Sequence, residues 1–332
     1  MNPTVLITDY VWPSIDVEKR ILKEINANIL VAPKDDEPTL IKMATNADAI
    51  LTCFAKVTEN VILSAKKCKV ISRYGVGVDN INVDTATKEK IIVTYVPDYC
   101  IHEVSDHVIA MMLTWNRKIL KHHNQTISQG WSSVSLNDRI MRLNDKLLGI
   151  IGYGRIGRAV ASKASAFGLN ILVYDPFISE QTQDSSVSFV TLERLLEKCH
   201  FVTLHAPLLD STQNLMDEAQ FSLMRTDAFL INAARGGLIN EQALYNAITS
   251  KKIAGAGLDV LIDIDPPLDH RIINLENVII TPHSAFFSQE SVVELEERAA
   301  KEVVRVLKGE MPENIINPSI INNSRANLNT LN

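Results

Sequence analysis

The sequence has few of the features that mark disulfide-rich, membrane-spanning or nucleic-acid-binding proteins. Its four cysteines show neither CxxC nor metal-ligand spacing, and reduced thiols are the simplest interpretation of Cys53, Cys68, Cys100 and Cys199. No apolar run approaches the roughly twenty residues of a membrane span. The N-terminus has no basic segment followed by an apolar core, so we expect a cytoplasmic protein. Asp and Glu outnumber Lys and Arg by 39 to 33, which argues against a nucleic-acid or membrane partner.

The remaining composition is typical of a globular protein with two domains. Hydrophobic residues make up 46% and charged residues 22% of 332 residues. Short apolar strands alternate with helical segments, a pattern that predicts an α/β fold with parallel sheets. Strands are predicted at residues 5–8, 49–52, 70–72, 91–94, 148–151, 171–174, 201–204, 228–232, 255–259 and 278–281.

Helices are predicted between these strands. They cover residues 17–24, 59–64, 84–90, 103–121 and 290–308, with Asp84 as the N-cap of the third. The asparagine-rich segment 317–332 has little to bury, so we expect it to be disordered, at least at its end.

The most informative segment is a glycine-rich turn between a predicted strand and a predicted helix. Gly152, Gly154 and Gly157 form a GxGxxG pattern, and Asp175 ends the next strand 18 residues after Gly157. In a dinucleotide-binding unit these glycines permit the tight turn, the approach of a pyrophosphate and close helix packing. The helix begins near Arg155, so its free N–H groups face the phosphates. A carboxylate at Asp175 favours NAD over NADP; the alternative is a strand–turn–helix whose glycines only permit packing.

This fingerprint lies in the middle of a chain that already begins with an α/β unit. We therefore predict a discontinuous arrangement, in which a NAD-binding domain of residues 101–286 is inserted into a substrate domain of residues 1–100 and 287–332. Both domains are predicted to have Rossmann-like or flavodoxin-like parallel sheets.

Three further segments carry charged or titratable residues just after predicted strands, where the ligand crevice of such sheets lies. Arg235 can hold a carboxylate through two parallel hydrogen bonds, although a surface arginine in a turn is the alternative. Asp263 and Asp265 lie in an acidic loop, for which the alternative is a solvated charged turn. His283 follows the last strand, and this position favours a proton carrier over a structural histidine.

Taken in order along the chain, these motifs resemble the D-2-hydroxyacid dehydrogenase family of NAD-dependent oxidoreductases. The matching segments are residues 72–81, 152–157, 205–208, 232–237, 257–260 and 281–283. The resemblance is greatest to the branch that contains D-3-phosphoglycerate dehydrogenase and the C-terminal binding proteins, which keep an aromatic pair like Phe286 and Phe287. It implies interconversion of a D-2-hydroxy acid and its 2-keto acid, with NAD as cofactor. It also implies a homodimer with the 103–121 helix in the interface.

The resemblance implies roles for the residues that meet the substrate. Arg235 would clamp its carboxylate and polarise the C2 oxygen, and His283 would be the general acid–base. Arg73, with the backbone around Tyr74 and Gly75, would help to bind the carboxylate side.

The resemblance also implies a set of cofactor-binding residues, and the histidines and cysteines of the sequence itself indicate no metal site. The residues that would hold the pyrophosphate and the adenosine ribose are Arg155, Ile156 and Asp175. Those that would line the nicotinamide half of the pocket are Ala206, Ala233 and Asp259. The other predicted cofactor-binding residues are Val76, Gly152, Gly154, Gly157, His205, Pro207, Ala234 and His283.

The sequence departs from the family pattern at one catalytic position. The family usually has a glutamate five residues after the equivalent of Asp259, directly before proline, whereas here Asp265 lies six residues after it, directly before a proline. A one-residue insertion restores the match, so Asp265 is the predicted orienting carboxylate and Asp263 is the second candidate. Aspartate is one methylene shorter, so the loop must lean closer to His283. If neither acid reaches the ring, we expect weak turnover.

Two other functions are compatible with the sequence. The altered acidic loop fits an NAD(H)-binding scaffold that resembles the C-terminal binding proteins and turns over little substrate. Alternatively, Arg73 and Arg235 bind a tetrahedral phosphonate or phosphite instead of a planar carboxylate.

Overall fold

The structure is a computed structural model that describes residues 2–131, 138–178 and 185–328 of the 332-residue chain. The chain forms two compact units, one made of Met1–Tyr99 and Ser288–Asn332 and the other of Cys100–Phe287. Across the described residues, each unit contains one sheet, and every strand pairing within the two sheets is parallel. The predicted α/β class with parallel sheets is therefore confirmed.

The first unit has a flavodoxin-like sheet. Its strands are β1 (Thr4–Ile7), β2 (Asn28–Val31), β3 (Ala49–Thr52), β4 (Val70–Arg73) and β5 (Ile92–Thr94). They lie in the order β2-β1-β3-β4-β5. The helices are α1 (Asp16–Leu22), α2 (Glu37–Ala44), α3 (Glu59–Ser64), α4 (Val83–Lys88) and α11 (Gln289–Lys308), with 3₁₀ turns at Lys23–Ile25 and Pro318–Asn323. Strands β3, β4 and β5 are buried at every position, as expected for parallel strands covered on both faces.

The second unit has a Rossmann-like sheet with a point at which the strand order reverses. Its strands are β6 (Leu147–Ile151), β7 (Asn170–Tyr174), β8 (Ser188–Phe189), β9 (Phe201–Leu204), β10 (Phe229–Asn232), β11 (Gly255–Leu258) and β12 (Val278–Ile280). They lie in the order β12-β11-β10-β9-β6-β7-β8, so the order reverses between β6 and β9. In such sheets, ligands bind outside the carboxyl ends of the strands at the point of reversal.

The helices of the second unit correct one prediction. They are α5 (Ile101–Asn116), α6 (Ile119–Gln129), α7 (Arg155–Ser165), α8 (Leu192–Lys198), α9 (Glu218–Leu223) and α10 (Glu241–Thr249), with a 3₁₀ turn at Gly236–Leu238. The single helix predicted over residues 103–121 is wrong, because α5 ends at Asn116 and Lys118 has a left-handed backbone, with φ 57°, that cannot continue a right-handed helix. The Lys118 ammonium lies 3.4 Å from the centre of the Trp115 ring, a cation–π contact at the break.

The N-cap of α4 is also different from the prediction. Asn82 caps the helix, because its side chain accepts a hydrogen bond from the Thr85 N–H at 3.0 Å. Asp84 lies inside the first turn, where its negative charge faces the positive end of the helix dipole. Both residue types are good N-caps, so the sequence alone does not decide between them.

The tail is packed against the first sheet where it is described. The expected disorder is wrong for residues 317–328, because the Asn317 amide accepts from Val93 N–H at 2.9 Å and donates to Ile91 O at 2.9 Å. Further along, Arg325 donates to the Ala65 carbonyl at 2.9 Å and pairs with Glu89 at 2.5 Å. The side chains of the tail thus satisfy backbone groups at an edge strand and at the end of α3. Residues 329–332 lie outside the described residues.

The described residues contain no helix that is both long and apolar enough to cross a membrane. Within the same ranges, no group of three or more His, Cys, Asp and Glu side chains is arranged to hold a metal ion. The four cysteines are buried, and no disulfide bond joins them.

Candidate active site

The glycine-rich turn after β6 has the shape that a dinucleotide requires. Gly152 has φ +91°, and a Cβ there would lie 2.7 Å from the backbone carbon of His205. A Cβ at Gly157 would lie 2.3 Å from the Gly152 carbonyl oxygen, so only glycine allows α7 to pack this closely. In contrast, a Cβ at Gly154 would meet no other described residue within 4 Å. The turn is therefore closed on its protein side and open next to the first residue of α7, Arg155.

Asp175 closes the second side of this turn. It follows β7 directly, and its carboxylate accepts hydrogen bonds from the N–H groups of Tyr153 at 2.8 Å and Phe177 at 2.9 Å. These bonds fix a negative charge beside the open turn. Ile156, on the first turn of α7, is partly buried against the core beneath it. An open glycine turn, a helix N-terminus and a fixed carboxylate together fit the pyrophosphate and ribose of NAD.

The loop after β9 forms the other side of the reversal point. The His205 N–H donates to the Ile151 carbonyl at 2.7 Å, and its ring Nε2 lies 3.1 Å from the Thr203 hydroxyl. Burial lowers the pKa of His205 to about 4, so the ring is neutral at pH 7. Ala206 packs partly against the core, and the Pro207 carbonyl accepts a hydrogen bond from Thr212 at 2.6 Å.

Arg235 follows β10 in a turn shaped by an asparagine. The Asn232 side chain accepts from the Ala234 N–H at 3.0 Å and donates to the Arg235 carbonyl at 2.8 Å. The Arg235 guanidinium donates to the Ala234 carbonyl at 2.8 Å. A Cβ at Gly236 would lie 2.1 Å from the Leu261 carbonyl, so this position also requires glycine. The turn therefore holds the arginine at the carboxyl edge of the sheet, where Ala233 and Ala234 are partly buried against the core.

Asp259 holds the segment that carries His283. It is 2% exposed, and its carboxylate accepts from the Ser284 and Ala285 N–H groups, each at 2.9 Å, and from the Thr281 hydroxyl at 2.5 Å. The Asp259 carbonyl accepts from the His283 N–H at 2.8 Å. His283 has φ 52°, a left-handed backbone conformation that is strained for any residue other than glycine. We infer that the bonds from Asp259 stabilise this strained turn.

His107 is a residue of this network that sequence reasoning missed. Its ring Nε2 lies 2.9 Å from the Thr281 hydroxyl and 3.7 Å from the Asp259 carboxylate. Because Thr281 donates its proton to Asp259, its oxygen is free to accept from the histidine. His107 lies on the largely apolar helix α5 and belongs to no motif, so the sequence offers no signal for this contact.

The acidic loop after β11 does not bring its carboxylates to His283 in this structure. Asp263 and Asp265 are exposed, and within residues 185–328 neither carboxylate bonds the His283 ring; Asp263 instead accepts from the Asp265 N–H at 3.1 Å. The loop is held at both ends by Glu241 of α10. This side chain accepts from the Ile262 N–H at 2.7 Å and lies 3.4 Å from His270 Nε2.

The predicted substrate loop of the first unit follows β4. A Cβ at Gly75, where φ is +137°, would lie 1.3 Å from Nη1 of Arg73, so the guanidinium of this buried arginine lies directly over the glycine. The Tyr74 N–H donates to the Thr52 carbonyl at 2.8 Å. Val76 is 37% exposed. Arg73, Tyr74 and Gly75 therefore form one compact turn at the carboxyl edge of the first sheet, which we name the substrate loop.

Asp9 organises the neighbouring loop at the same edge of the sheet. This residue was not identified from the sequence. Its carboxylate accepts from the N–H groups of Cys53 at 2.9 Å, Phe54 at 2.6 Å and Ala55 at 3.1 Å. Asn80 donates to the Ala55 carbonyl at 2.8 Å from the other side. An isolated aspartate after a first strand gives no sequence motif, although its position at the carboxyl end of β1 is a general signal for a ligand edge.

Comparison with known proteins gives consistent results. Residues 109–285 match the model of the NAD-binding domain of D-isomer-specific 2-hydroxyacid dehydrogenases. D-3-phosphoglycerate dehydrogenase of Methanocaldococcus jannaschii is 37% identical over 94% of this chain, which spans 59% of that relative's length. Glyoxylate reductase of Korarchaeum cryptofilum is 33% identical over 97% of this chain and 98% of its own. The crystal structure of D-lactate dehydrogenase from Aquifex aeolicus, complexed with NAD and lactic acid, matches with a TM-score of 0.86 at 28% identity, over 95% of this chain and 99% of that one.

Proposed function

The chain belongs to the family of D-isomer-specific 2-hydroxyacid dehydrogenases, and on this premise we propose that it interconverts a D-2-hydroxy acid and its 2-keto acid with NAD as cofactor. The observation that carries the proposal lies within one sheet. Arg235 and His283 follow β10 and β12 at the same carboxyl edge as the glycine turn after β6. This edge therefore offers a carboxylate-binding cation and a proton carrier beside a dinucleotide site.

Arg235 is the proposed anion-binding residue. A guanidinium can form two parallel hydrogen bonds with a carboxylate and stays charged at every physiological pH. The bonds that Asn232 makes with the turn hold its backbone, so little order has to be gained when the substrate binds. Arg235 would also polarise the C2 oxygen. In the first unit, Arg73, Tyr74 and Gly75 are the proposed substrate-binding residues, as the family resemblance implies.

His283 is the proposed general acid–base. In the reducing direction its imidazolium donates a proton to the C2 oxygen, and in the oxidising direction the neutral ring accepts it. When bound, the nicotinamide supplies or accepts the hydride at C2. His205 does not fit the role of proton donor, because burial lowers its pKa to about 4 and leaves it neutral at pH 7. The Asp259 carboxylate would hold the His283 segment in place throughout.

The decisive experiment is NADH oxidation by the purified protein with a panel of 2-keto acids. We would test phosphohydroxypyruvate and glyoxylate first, because two relatives are named D-3-phosphoglycerate dehydrogenase and glyoxylate reductase. Hydroxypyruvate, pyruvate and branched or aromatic keto acids follow. His283→Gln should lower kcat by about 10²–10⁴-fold, the typical contribution of a placed proton donor, while NADH still binds. His123→Gln, an exposed histidine on α6, is the matched control and should leave turnover unchanged. Unchanged turnover in His283→Gln would refute the assigned role.

A second candidate function is favoured by one observation. The acidic loop departs from the family pattern: Asp263 and Asp265 are both exposed, and Asp263 accepts from the Asp265 N–H at 3.1 Å, whereas the family's glutamate is expected to orient the histidine. We therefore keep the proposal of an NAD(H)-binding scaffold with little turnover. Tight NADH binding without oxidation by any keto acid would support the scaffold. A phosphonate or phosphite is then tested as substrate with NAD, and turnover of either would exclude the scaffold.

If the protein is an enzyme, Asp265 remains the proposed orienting carboxylate, with a loop movement that brings it to the ring. Asp265→Asn should then shift the pH profile of kcat, whereas Asp263→Asn should not. Identical profiles of the two variants and the wild type would exclude Asp265 from the catalytic site.

A further inference from the structure

A cluster of buried polar side chains adjoins the substrate loop in the first unit. It consists of Trp12, Glu18 on α1, Tyr74 in the loop and Glu296 on α11, and we name it the carboxyl cluster. Glu18 is 0%, Tyr74 1% and Glu296 4% exposed. Glutamate is rarely buried to this degree without a cationic partner, so two such residues side by side require an explanation.

The phenol of Tyr74 connects this cluster to the loop. Its hydroxyl donates to Oε1 of Glu18 at 2.9 Å, and its ring meets the Trp12 ring edge to face at a centroid distance of 4.8 Å. The other Glu18 oxygen, Oε2, is buried, and hydrogen bonds from the side chains of Glu296 and Trp12 lower the pKa of Glu18 against the effect of burial. Because a carboxylate oxygen in this position needs a donor, a protonated neighbour is the simplest way to satisfy it.

The carboxyl group of Glu296 can be this protonated neighbour of Glu18. Burial, together with the charge of Glu18, raises the pKa of Glu296 to about 8, and burial raises the pKa of Glu18. Two neighbouring carboxyl groups in an apolar site cannot both ionise without strong repulsion. At pH 7 the pair therefore holds at least one proton.

No nearby cation neutralises the two carboxyl groups in place of this proton. The acids that face Glu296, apart from Glu18, are Asp16 on α1 and Glu297 on α11, and both raise its pKa further. The nearby cations are occupied, since Lys19 pairs with Asp16 at 2.9 Å and Arg20 with Glu297 at 2.6 Å. The Cys53 thiol, which adjoins Tyr74, stays neutral because burial raises its pKa to about 12.

We propose that Glu18 and Glu296 are positioning residues, which share a proton between α1 and α11 and thereby hold Tyr74 so that the substrate loop can bind the substrate carboxylate. This inference rests on the proposed function, because it assumes that the loop binds substrate. Tyr74 lies between Arg73 and Gly75 in the chain, so the contacts that anchor its side chain also restrain the backbone of the loop. When the shared proton is lost at alkaline pH, repulsion between the carboxylates loosens the Tyr74 anchor. The expected result is a higher KM with little change in kcat, which is the signature of lost ground-state binding.

The test compares variants of the full chain in the NADH oxidation assay between pH 6 and pH 9.5, with the best substrate of the panel. Tyr74→Phe loses the hydrogen bond to Glu18, so it should raise KM about fivefold at pH 7 and show no further alkaline rise, with kcat within about twofold. Glu296→Gln replaces the protonated acid by an amide that cannot ionise. It should bind substrate like the wild type at pH 7 and lose the alkaline rise in KM.

Two controls separate positioning from general stability. Glu302→Gln changes another buried glutamate of α11 whose pKa burial also raises, but which bonds the Glu313 N–H instead of Tyr74. Tyr245→Phe removes a phenol in the second unit. Both should keep the wild-type dependence of KM on pH.

The outcomes distinguish the two levels of the proposal. A wild type that turns over a keto acid, with Tyr74→Phe and Glu296→Gln indistinguishable from the controls, would overturn the positioning role alone. Absence of turnover with every acid in the panel would overturn the proposed function, and the positioning role with it. Loss of the alkaline rise in Glu296→Gln but not in Glu302→Gln would support the inference.

Discussion

At the scale of single residues, the site depends on carboxylates that bind the protein's own backbone. Asp175, Asp259 and Asp9 each accept at least two backbone N–H groups at the carboxyl edge of a sheet. The sequence predicts Asp175 because it completes a motif, and it includes Asp259 only through a family resemblance. Asp9 belongs neither to a motif nor to a segment that matches the family. What a motif does not encode is the hydrogen-bond network, which depends on loops that meet only after folding.

Asp259→Asn tests the most connected of these carboxylates. An amide has one acceptor oxygen, so either the Ser284 or the Ala285 N–H would face an NH₂ group and lose its partner. We expect the free energy of unfolding to fall by about 1–3 kcal/mol, the cost of an unsatisfied buried group. Urea denaturation measures this, and the exposed Asp263→Asn is the control. Equal stability of the two variants would contradict the assigned role of Asp259.

Asp175→Ala tests the cofactor preference. The variant loses the carboxylate that would accept the ribose hydroxyls and repel a 2′-phosphate. We expect the Kd for NADH to rise about tenfold, as for the loss of a hydrogen bond to a charged group, and the discrimination against NADPH to shrink. Fluorescence titration with both dinucleotides provides the values, with Asp210→Ala as an exposed control. A preference for NADH that persists in the variant would assign the discrimination to other residues.

At the scale of elements, strands are predicted better than the loops and helix ends. The apolar runs of β3 and β9 have no competing interpretation, because both strands are buried at every position. β2 escapes prediction since it is partly exposed, and β8 since it is two residues long. The break between α5 and α6 has no Pro or Gly to mark it and depends on a single left-handed lysine.

Gly75→Ala tests the substrate loop as an element. An added methyl group would overlap the Arg73 guanidinium at 1.3 Å and would also strain a backbone at φ +137°. We expect KM for the keto acid to rise at least tenfold, while NADH affinity stays unchanged. Gly130→Ala is the matched control, because φ there is +90° but, beyond its chain neighbours, no described residue lies within 4 Å of the new atom. If both alanine variants behave alike, backbone strain and not the position of Arg73 explains the effect.

At the scale of the whole molecule, the carboxyl cluster predicts how stability varies with pH. The pKa of Glu296 is raised from 4.5 to about 8, so the folded chain binds more protons than the unfolded chain between these values. Stability from this group is therefore complete below about pH 4.5 and is lost as the pH rises through about 8. Glu302, whose pKa burial also raises, contributes with the same sign. Thermal unfolding between pH 7 and pH 9 should show a falling midpoint, and Glu296→Gln should flatten it. Below this range the lowered pKa of His205 acts with the opposite sign, because its contribution to stability grows as the pH rises towards 6.5. A midpoint that rises over this range in the wild type would contradict the prediction.

The class of the fold follows from sequence periodicity, whereas the architecture of the C-terminal part does not. Residues 317–328 read as a polar tail, yet Asn317 and Arg325 satisfy backbone groups of β5 and of the end of α3. Polar residues that replace a missing backbone partner look the same in a sequence as polar residues in solvent. The same limit hid the buried Glu18 and Glu296, whose residue type alone predicts exposure.

The interrupted first unit has a consequence for synthesis on the ribosome. Its sheet is encoded by residues 1–99, but α11, which packs against β3 and β4 and carries Glu296, follows almost two hundred residues later. At about 5–20 residues per second, this helix emerges roughly 10–40 s after the sheet. During that interval the nascent chain exposes an apolar sheet face and an unmatched Glu18. The second unit, which is continuous, can meanwhile complete its own core, so the order of translation favours folding from the middle of the chain outward.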